Sequence, residues 1–262
     1  MKINTVFLYI LLFNVTIFFA QNNNICGEVN YKQVKEIINI YQQDFLMKFN
    51  SEQSYSEEIN IKLSDDSIEY DNSERSTTET IIIGRKNKRS DFFYNKKGTF
   101  YFRHIFFGEA LLVKENKHQW NWELHKDTKQ IGDFTCQKAT INFRGRSYIA
   151  WFANEIPVPF GPWKFQGLSG LILEVYDTDK VFHITTSKIK IDKDVDYCAI
   201  SVDENQLKEA INIHDYLIRK EELINAQFAK LASRMPKGFE VPKWDKDCED
   251  CPKGVEIFDE EN

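Results

Sequence analysis

The sequence predicts a mainly β fold of the α+β type: one large antiparallel sheet followed by a C-terminal helical region. Three observations predict it. Short apolar or alternating runs recur between residues 59 and 191, separated by turn residues, which is the pattern of successive antiparallel strands. The chain carries 21 Phe, 11 Tyr and 5 Trp, a composition suited to broad pleated faces. Helical spacing accompanied by a start signal comes only after residue 200.

At the N-terminus Lys2 precedes an apolar run from Val6 to Ala20, broken by Asn14 and Thr16, and then the polar Gln21-Asn22-Asn23-Asn24. That order predicts a cleavable secretory signal over residues 1–20, with Ala20 before the cut and Phe18 larger than the usual pattern allows. The run falls short of the roughly 20 residues that span a bilayer, so no integral membrane segment is expected after cleavage. Cys26 follows Asn23-Asn24-Ile25, a poor fit to a lipid anchor. The expected location is extracytoplasmic: periplasmic, cell-surface or secreted.

One sheet domain is expected over residues 21–200. Within it, Val34, Ile37, Ile38, Tyr41, Phe45 and Phe49 follow helical spacing, so periodicity alone reads residues 31–49 as helix. Ile59, Ile61 and Leu63 alternate as in a half-buried strand, and Ser64 to Thr80 reads as a polar loop. Further strands are expected at Asp91 to Tyr94, Thr99 to Phe107, Ala110 to Val113, Trp120 to Leu124, Phe134 to Phe143, Ser147 to Ala153, Leu171 to Tyr176 and Val181 to Ile191. Ser201 and Glu204 form a candidate capping box for a helical region over 201–235, packed on or extending from the sheet. Its apolar face is Leu207, Ile211, Leu217, Ile224, Phe228 and Leu231, and it is expected to end before Pro236. Residues 236–262 read as a charged, acidic tail with little with which to build a core.

Composition narrows the partners. The formal net charge is −6 and no basic cluster stands out, which argues against nucleic acid. Five cysteines in an exported chain favour disulfides over zinc thiolates and leave at least one thiol unpaired within the chain. Cys136 reads as a small buried hydrophobe, and Cys248-x-x-Cys251 as a local staple rather than a redox pair, because Asp247, Glu249 and Asp250 would raise its thiols. Asp245, Asp247, Glu249 and Glu256 match positions of a calcium loop, yet Asp250 stands where the turn requires glycine. The five histidines show no metal spacing, and no cofactor or metal is expected.

Residues 131–173 contain Cys136-Gln137-Lys138-Ala139-Thr140, Phe143-Arg144-Gly145-Arg146, Ala150-Trp151-Phe152, Glu155-Ile156-Pro157, Gly161-Pro162-Trp163-Lys164-Phe165 and Gly167-Leu168-Ser169-Gly170-Leu171-Ile172. This series resembles the GLPGLI family of exported proteins from Gram-negative bacteria. The resemblance implies a curved, bowl-like antiparallel sheet, similar to the domain that precedes the catalytic part of a bacterial type II peptide N-glycosidase. It implies no catalytic residues, and it favours strands over residues 28–50, against the helical spacing.

Read physically, the motifs are turn chemistry. Arg144-Gly145-Arg146 fits a tight hairpin whose charges stay in water. Gly161-Pro162 and the span from Gly167 to Gly170 are further turns that deliver Leu168, Leu171 and Leu173 to the core. Ser169 stands where the family's hexapeptide has proline. Gly167-Leu168-Ser169-Gly170-Leu171 nearly matches a nucleophile elbow, with Asp177 and His183 following, but the last glycine and the required helix are missing. Glu155 and Glu174 would be the acid and base of a glycosidase, with an ion pair from Glu155 to Arg146 as the alternative.

Trp120 and Trp122 lie two apart on an expected strand face and offer a stacking platform for sugars or peptides, with core packing as the alternative. Trp151 and Trp163 complete the candidate binding residues. The reading is a non-catalytic binding or accessory protein for a peptide, glycan or envelope protein. The alternatives are a hydrolase of glycan or peptide bonds, and an envelope assembly factor that presents a sheet edge.

Overall fold

Period-2 alternation makes two-faced ribbons, and a long series of such ribbons joined by short turns pairs edge to edge into one sheet. A computed structural model describes residues 25–37, 39–59, 90–96, 98–116, 118–192, 199–234 and 253–258. The expected signal, the loop at 64–80, Ile61, Leu63, Cys198, the Cys248-x-x-Cys251 pair and Asp245 to Asp250 lie outside these residues.

Twelve strands form a single open, curved sheet: β1 (Cys26–Glu36), β2 (Ile40–Phe49), β3 (Gln53–Ile59), β4 (Phe92–Lys96), β5 (Thr99–Phe106), β6 (Glu109–Glu115), β7 (Glu123–Ile131), β8 (Phe134–Phe143), β9 (Arg146–Ala153), β10 (Leu171–Asp177), β11 (Phe182–Asp192) and β12 (Ile211–Asn212). Their order across the sheet is β12-β6-β5-β4-β3-β2-β1-β11-β10-β9-β8-β7. Every pairing is antiparallel except β12 with β6. The first strand therefore lies mid-sheet.

Residues 31–49 are strand, as the family pattern implied and the periodicity did not. β1 and β2 form a hairpin in which Tyr31 faces Phe45 and Gln33 faces Gln43. The buried face carries Val29, Tyr31 and Gln33 on one strand and Gln43, Phe45, Met47 and Phe49 on the other. The two glutamines broke the alternation. They are kept inside by each other: Gln33 Nε2 donates to Gln43 Oε1 at 3.0 Å, and Gln43 Nε2 donates to Glu58 Oε1 at 3.0 Å. Tyr41, which supported the helical reading, is exposed.

The long connection between β9 and β10 closes one face of the sheet. Ile156, Val158, Phe160, Trp163, Phe165 and Leu168 come from it and are buried against Val29, Phe49, Phe152, Leu173 and Phe182. Turn chemistry makes this return possible. A Cβ on Gly161 would stand 2.8 Å from Ile172, and one on Gly167, at φ +92, would stand 2.9 Å from Trp120. Leu168, Leu171 and Leu173 are buried, as the turn reading expected.

The helical region starts differently from expectation. Asp203, not Ser201, caps α1 (Glu204–Leu207), accepting from the Asn205 amide, while Glu204 pairs with Lys96 instead of closing a capping box. Ile211 lies in β12 rather than on a helix. The main helix is α2 (Ile213–Ala232), whose cap Asn212 accepts from the Asp215 amide. Its buried anchor is Tyr216, packed edge-on to Phe102 at 5.4 Å in a second cluster with Phe100, Leu111 and Val113. Leu217, Ile224 and Phe228 are half-buried. Among the described residues no helix is long and apolar enough to cross a membrane.

Candidate binding site at the arginine hairpin

Phe143 pairs with Arg146, so Arg144 and Gly145 are the two central residues of a tight hairpin between β8 and β9. Both have positive φ, 49° and 71°, the conformation that suits the right-handed twist of the strands. For Arg144, a non-glycine, the left-handed backbone costs on the order of 1 kcal/mol. The hairpin is as expected. Its charges are not in water.

Arg146 is 7% exposed, on the same face of β9 as Tyr148, Ala150 and Phe152. Its Nη1 donates to Asp177 Oδ2 at 3.0 Å, and Asp177, fully buried on β10, also accepts from the Phe182 amide at 2.7 Å. Glu155 is therefore not its partner. Arg144 donates to Glu115 Oε1 at 2.8 Å, and Lys164, only 3% exposed, donates to Glu115 Oε2 at 2.8 Å. Lys164 reaches this point because the β9–β10 connection folds back over the sheet, and Glu115 because it ends β6.

Across this cluster lies Lys253–Phe258, which docks on the domain instead of staying solvated as its composition suggested. The Arg146 guanidinium donates to the carbonyls of Lys253 at 3.0 Å and of Gly254 at 2.8 Å. Tyr148 Oη donates to the Val255 carbonyl at 3.1 Å, and the Ile257 amide donates to the Arg144 carbonyl at 3.0 Å. Glu256 accepts from Lys164 at 2.8 Å. Phe258 packs under the Arg144 guanidinium at 4.4 Å. Beside the hairpin is an open depression of about 540 Å³, lined among the described residues by His118, Asn142, Phe143, Arg144, Gly145, Arg146 and Ser147.

Electrostatics tie the cluster together. Burial pushes the Glu115 carboxyl up, but Lys164 and Arg144 outweigh burial and hold it below the usual carboxylate range. Such a group contributes stability that is present above its unfolded value of about 4.3 and lost as pH falls through its lower folded value. The urea midpoint is thus expected to fall between about pH 6 and about pH 3, and to fall less in Glu115→Gln. Equal falls in both proteins would refute this. Burial, then Arg144, holds the His118 imidazole below its usual range, in keeping with its edge-on packing against Trp120 and Phe143.

The four tryptophans do not meet in one site. Trp120 and Trp122 precede β7 in an irregular segment instead of lying on a strand. Their rings stack on each other at 6.0 Å and 13°, half-buried against the core next to the depression. Trp122 Nε1 donates to the Gln166 carbonyl at 2.8 Å. Trp163 is buried between Phe143, Phe165 and Phe182. Trp151 points to the opposite face from Ala150 and Phe152, opposite Glu174, with the Lys129 ammonium 4.6 Å above its ring.

The residues weighed for catalysis are also apart. Ser169 Oγ donates to Asn154 Oδ1 at 2.7 Å, Asp177 belongs to Arg146, and His183 Nε2 lies 3.0 Å from Glu174, which also pairs with Lys129. Exposed Glu155 accepts from the Thr135 amide. Cys136 is fully buried and free, its thiol pushed up to about 11 by burial. Cys26 is disulfide-bonded. The sheet edge at β7 is interrupted in register between Leu124 and Thr128 and exposes Lys126 and Asp127, features that guard against strand addition.

Sequence reading missed Lys164, Glu115 and Tyr148 as site residues and weighed Glu256 only as a calcium-loop position, whereas it pairs with Lys164. One signal was available: alternation along β9 sets Arg146 two residues before Tyr148 and four before Ala150, on the core face.

Residues 29–217 match the sequence profile of the family described as "N-glycanase peptide, N-terminal domain". The chain belongs to that family. The hairpin, Glu115, Lys164 and Asp177 all lie within the matched residues, whereas Lys253–Phe258 lies beyond them. Among solved structures, the chain is similar to PNGF-II in two crystal forms, P21 and C2. Identity is 13% and 12%, with TM-scores of 0.47 and 0.45, over 74% and 72% of this chain and 32% and 30% of that one. The chain thus spans about a third of the length of PNGF-II. An uncharacterized conserved protein from Thermus thermophilus is similar at 9% identity and a TM-score of 0.33, over 73% of this chain and 91% of that one. No curated protein matches the sequence.

Proposed function

We propose that the chain is an exported, non-catalytic accessory domain of the GLPGLI type, working in the periplasm or at the surface of a Gram-negative envelope, where it holds a polypeptide by its main chain across the arginine hairpin. One observation carries the reading. Arg146, Tyr148 and the Arg144 carbonyl engage the main chain of residues 253, 254, 255 and 257, which bends at Val255 and Glu256, so the surface is shaped to receive polypeptide backbone whatever its side chains. The leader-like residues 1–20 and the disulfide at Cys26 support export. The stacked Trp120 and Trp122 at the margin of the depression favour a second reading, in which the polypeptide's attached glycan is held as well.

The test is binding of the full chain to an unfolded, carboxymethylated polypeptide prepared with and without N-linked glycans. Uptake of both forms supports the main-chain reading, uptake of the glycosylated form alone supports the second, and uptake of neither overturns both. In Tyr148→Phe the loss of one donor, about 0.5–1.5 kcal/mol, is expected to weaken uptake roughly two- to tenfold in a titration followed by fluorescence anisotropy.

A further inference from the structure

Glu256 occupies the position of a ligand side chain. Its Oε1 accepts from Lys164 Nζ at 2.8 Å, and it stands 3.8 Å from Arg144 Nε. Lys220 of α2 is within electrostatic reach of the same carboxylate. We propose that Lys164 and Arg144, backed by Lys220, form a subsite for one carboxylate side chain of a bound polypeptide, and that Glu256 holds this subsite in cis. The inference rests on the reading of the hairpin as a site for polypeptide main chain.

The charge balance demands an anion there. Glu115 is the carboxylate that stays when the Lys253–Phe258 segment leaves, and it faces both Lys164 and Arg144. Buried cations left in excess are costly, so the vacated subsite selects a replacement carboxylate over any neutral side chain. Glu256 also fills the place imperfectly: Arg144 Nε is buried and makes no hydrogen bond among the described residues. A carboxylate that reaches it binds better than Glu256 does.

The positions after the carboxylate are shaped too. A Cβ on Gly145 would lie 2.7 Å from Ile257 Cβ, so the following residue lies flat on the glycine. The next, Phe258, stacks on the Arg144 guanidinium. The ligand class is therefore a segment that bends at an acidic residue and continues with an aliphatic and an aromatic one. Main-chain contacts tolerate any sequence. The carboxylate supplies selectivity.

A tethered competitor works at an effective concentration on the order of 1 mM, so a ligand in trans sees an apparent dissociation constant raised in proportion to the strength of the cis contact. Weakening that contact tenfold lowers the apparent constant about tenfold. The experiment uses the full chain, Glu256→Gln, and two fluorescein-labelled hexapeptides, Lys-Gly-Val-Glu-Ile-Phe and its counterpart with Gln for Glu, read by fluorescence anisotropy. The Glu hexapeptide is expected to bind Glu256→Gln about tenfold more tightly than the unaltered chain. On Glu256→Gln, the Gln hexapeptide is expected to bind about tenfold more weakly than the Glu one. Equal affinity of the two chains for the Glu hexapeptide would overturn cis occupancy, and equal affinity of the two peptides would overturn the carboxylate subsite. Both results leave the main-chain reading standing. Binding by neither chain overturns the inference and that reading together.

Discussion

Arg146→Met is expected to destabilise the domain by about 3–5 kcal/mol, measured by urea unfolding near neutral pH. Asp177 is fully buried, and the guanidinium of Arg146 is the cation that meets it. With a methionine in its place the carboxylate keeps the Phe182 amide and loses its charge partner in a medium that cannot solvate it. The same substitution removes the donors to the Lys253 and Gly254 carbonyls, so protease sensitivity of the C-terminal segment should rise alongside. Arg146→Met combined with Asp177→Leu should recover much of the loss, because replacing both members of a buried pair removes the stranded charge. A loss below about 1 kcal/mol in the single variant would place the pair in the range of exposed ion pairs and refute its structural weight.

Gly170→Ala is expected to cost at least about 3 kcal/mol, an extreme value for the addition of one methyl group. The new Cβ would stand 2.1 Å from the Ala153 carbonyl oxygen and 2.6 Å from its carbon, and both atoms belong to backbone that cannot rotate aside. The strand β10 would have to move away from the end of β9, carrying Leu171 out of the core. Gly132→Ala is the comparison. It meets nothing within 4 Å, so its φ of +57 alone sets the cost, about 1–2 kcal/mol. Thermal unfolding of the two variants side by side decides the matter. A loss in Gly170→Ala no larger than in Gly132→Ala would show that the end of β9 yields.

The β8–β9 and β10–β11 regions were readable because they are short apolar runs bounded by turn residues, Arg144-Gly145 at the first hairpin and Asp177 to Lys180 at the second. The β1–β2 hairpin was harder to read, since two buried glutamines satisfy each other only when paired across strands, a relation no single-chain periodicity displays. The helix register shifted for a similar reason: Ile211 looked like one more apolar helical position, but its backbone pairs with Val113 of β6, far along the chain. The site was legible as a hairpin and illegible as a charge cluster. Arg144 and Arg146 flank a glycine, and polar tips of hairpins ordinarily face water. Here the connection bearing Lys164 and the segment bearing Glu256 cover the tip, and neither contact is local in sequence. The tail misled through composition, because a charged stretch can still dock through its backbone and through Val255, which packs against the main core.

The strand order assigns β1 a particular place in time. Its hairpin with β2 closes locally, but its other edge pairs only with β11, so Asn30 waits for Lys188. During synthesis, every residue from β2 to β10 leaves the ribosome while that edge is still bare, next to apolar surface destined for burial. Pairings so distant in sequence close slowly, and an unpaired edge beside open apolar surface attracts other chains. The two flanks of the sheet are therefore joined only through the β1–β11 pairing, and that seam stays open until the last long strand is made.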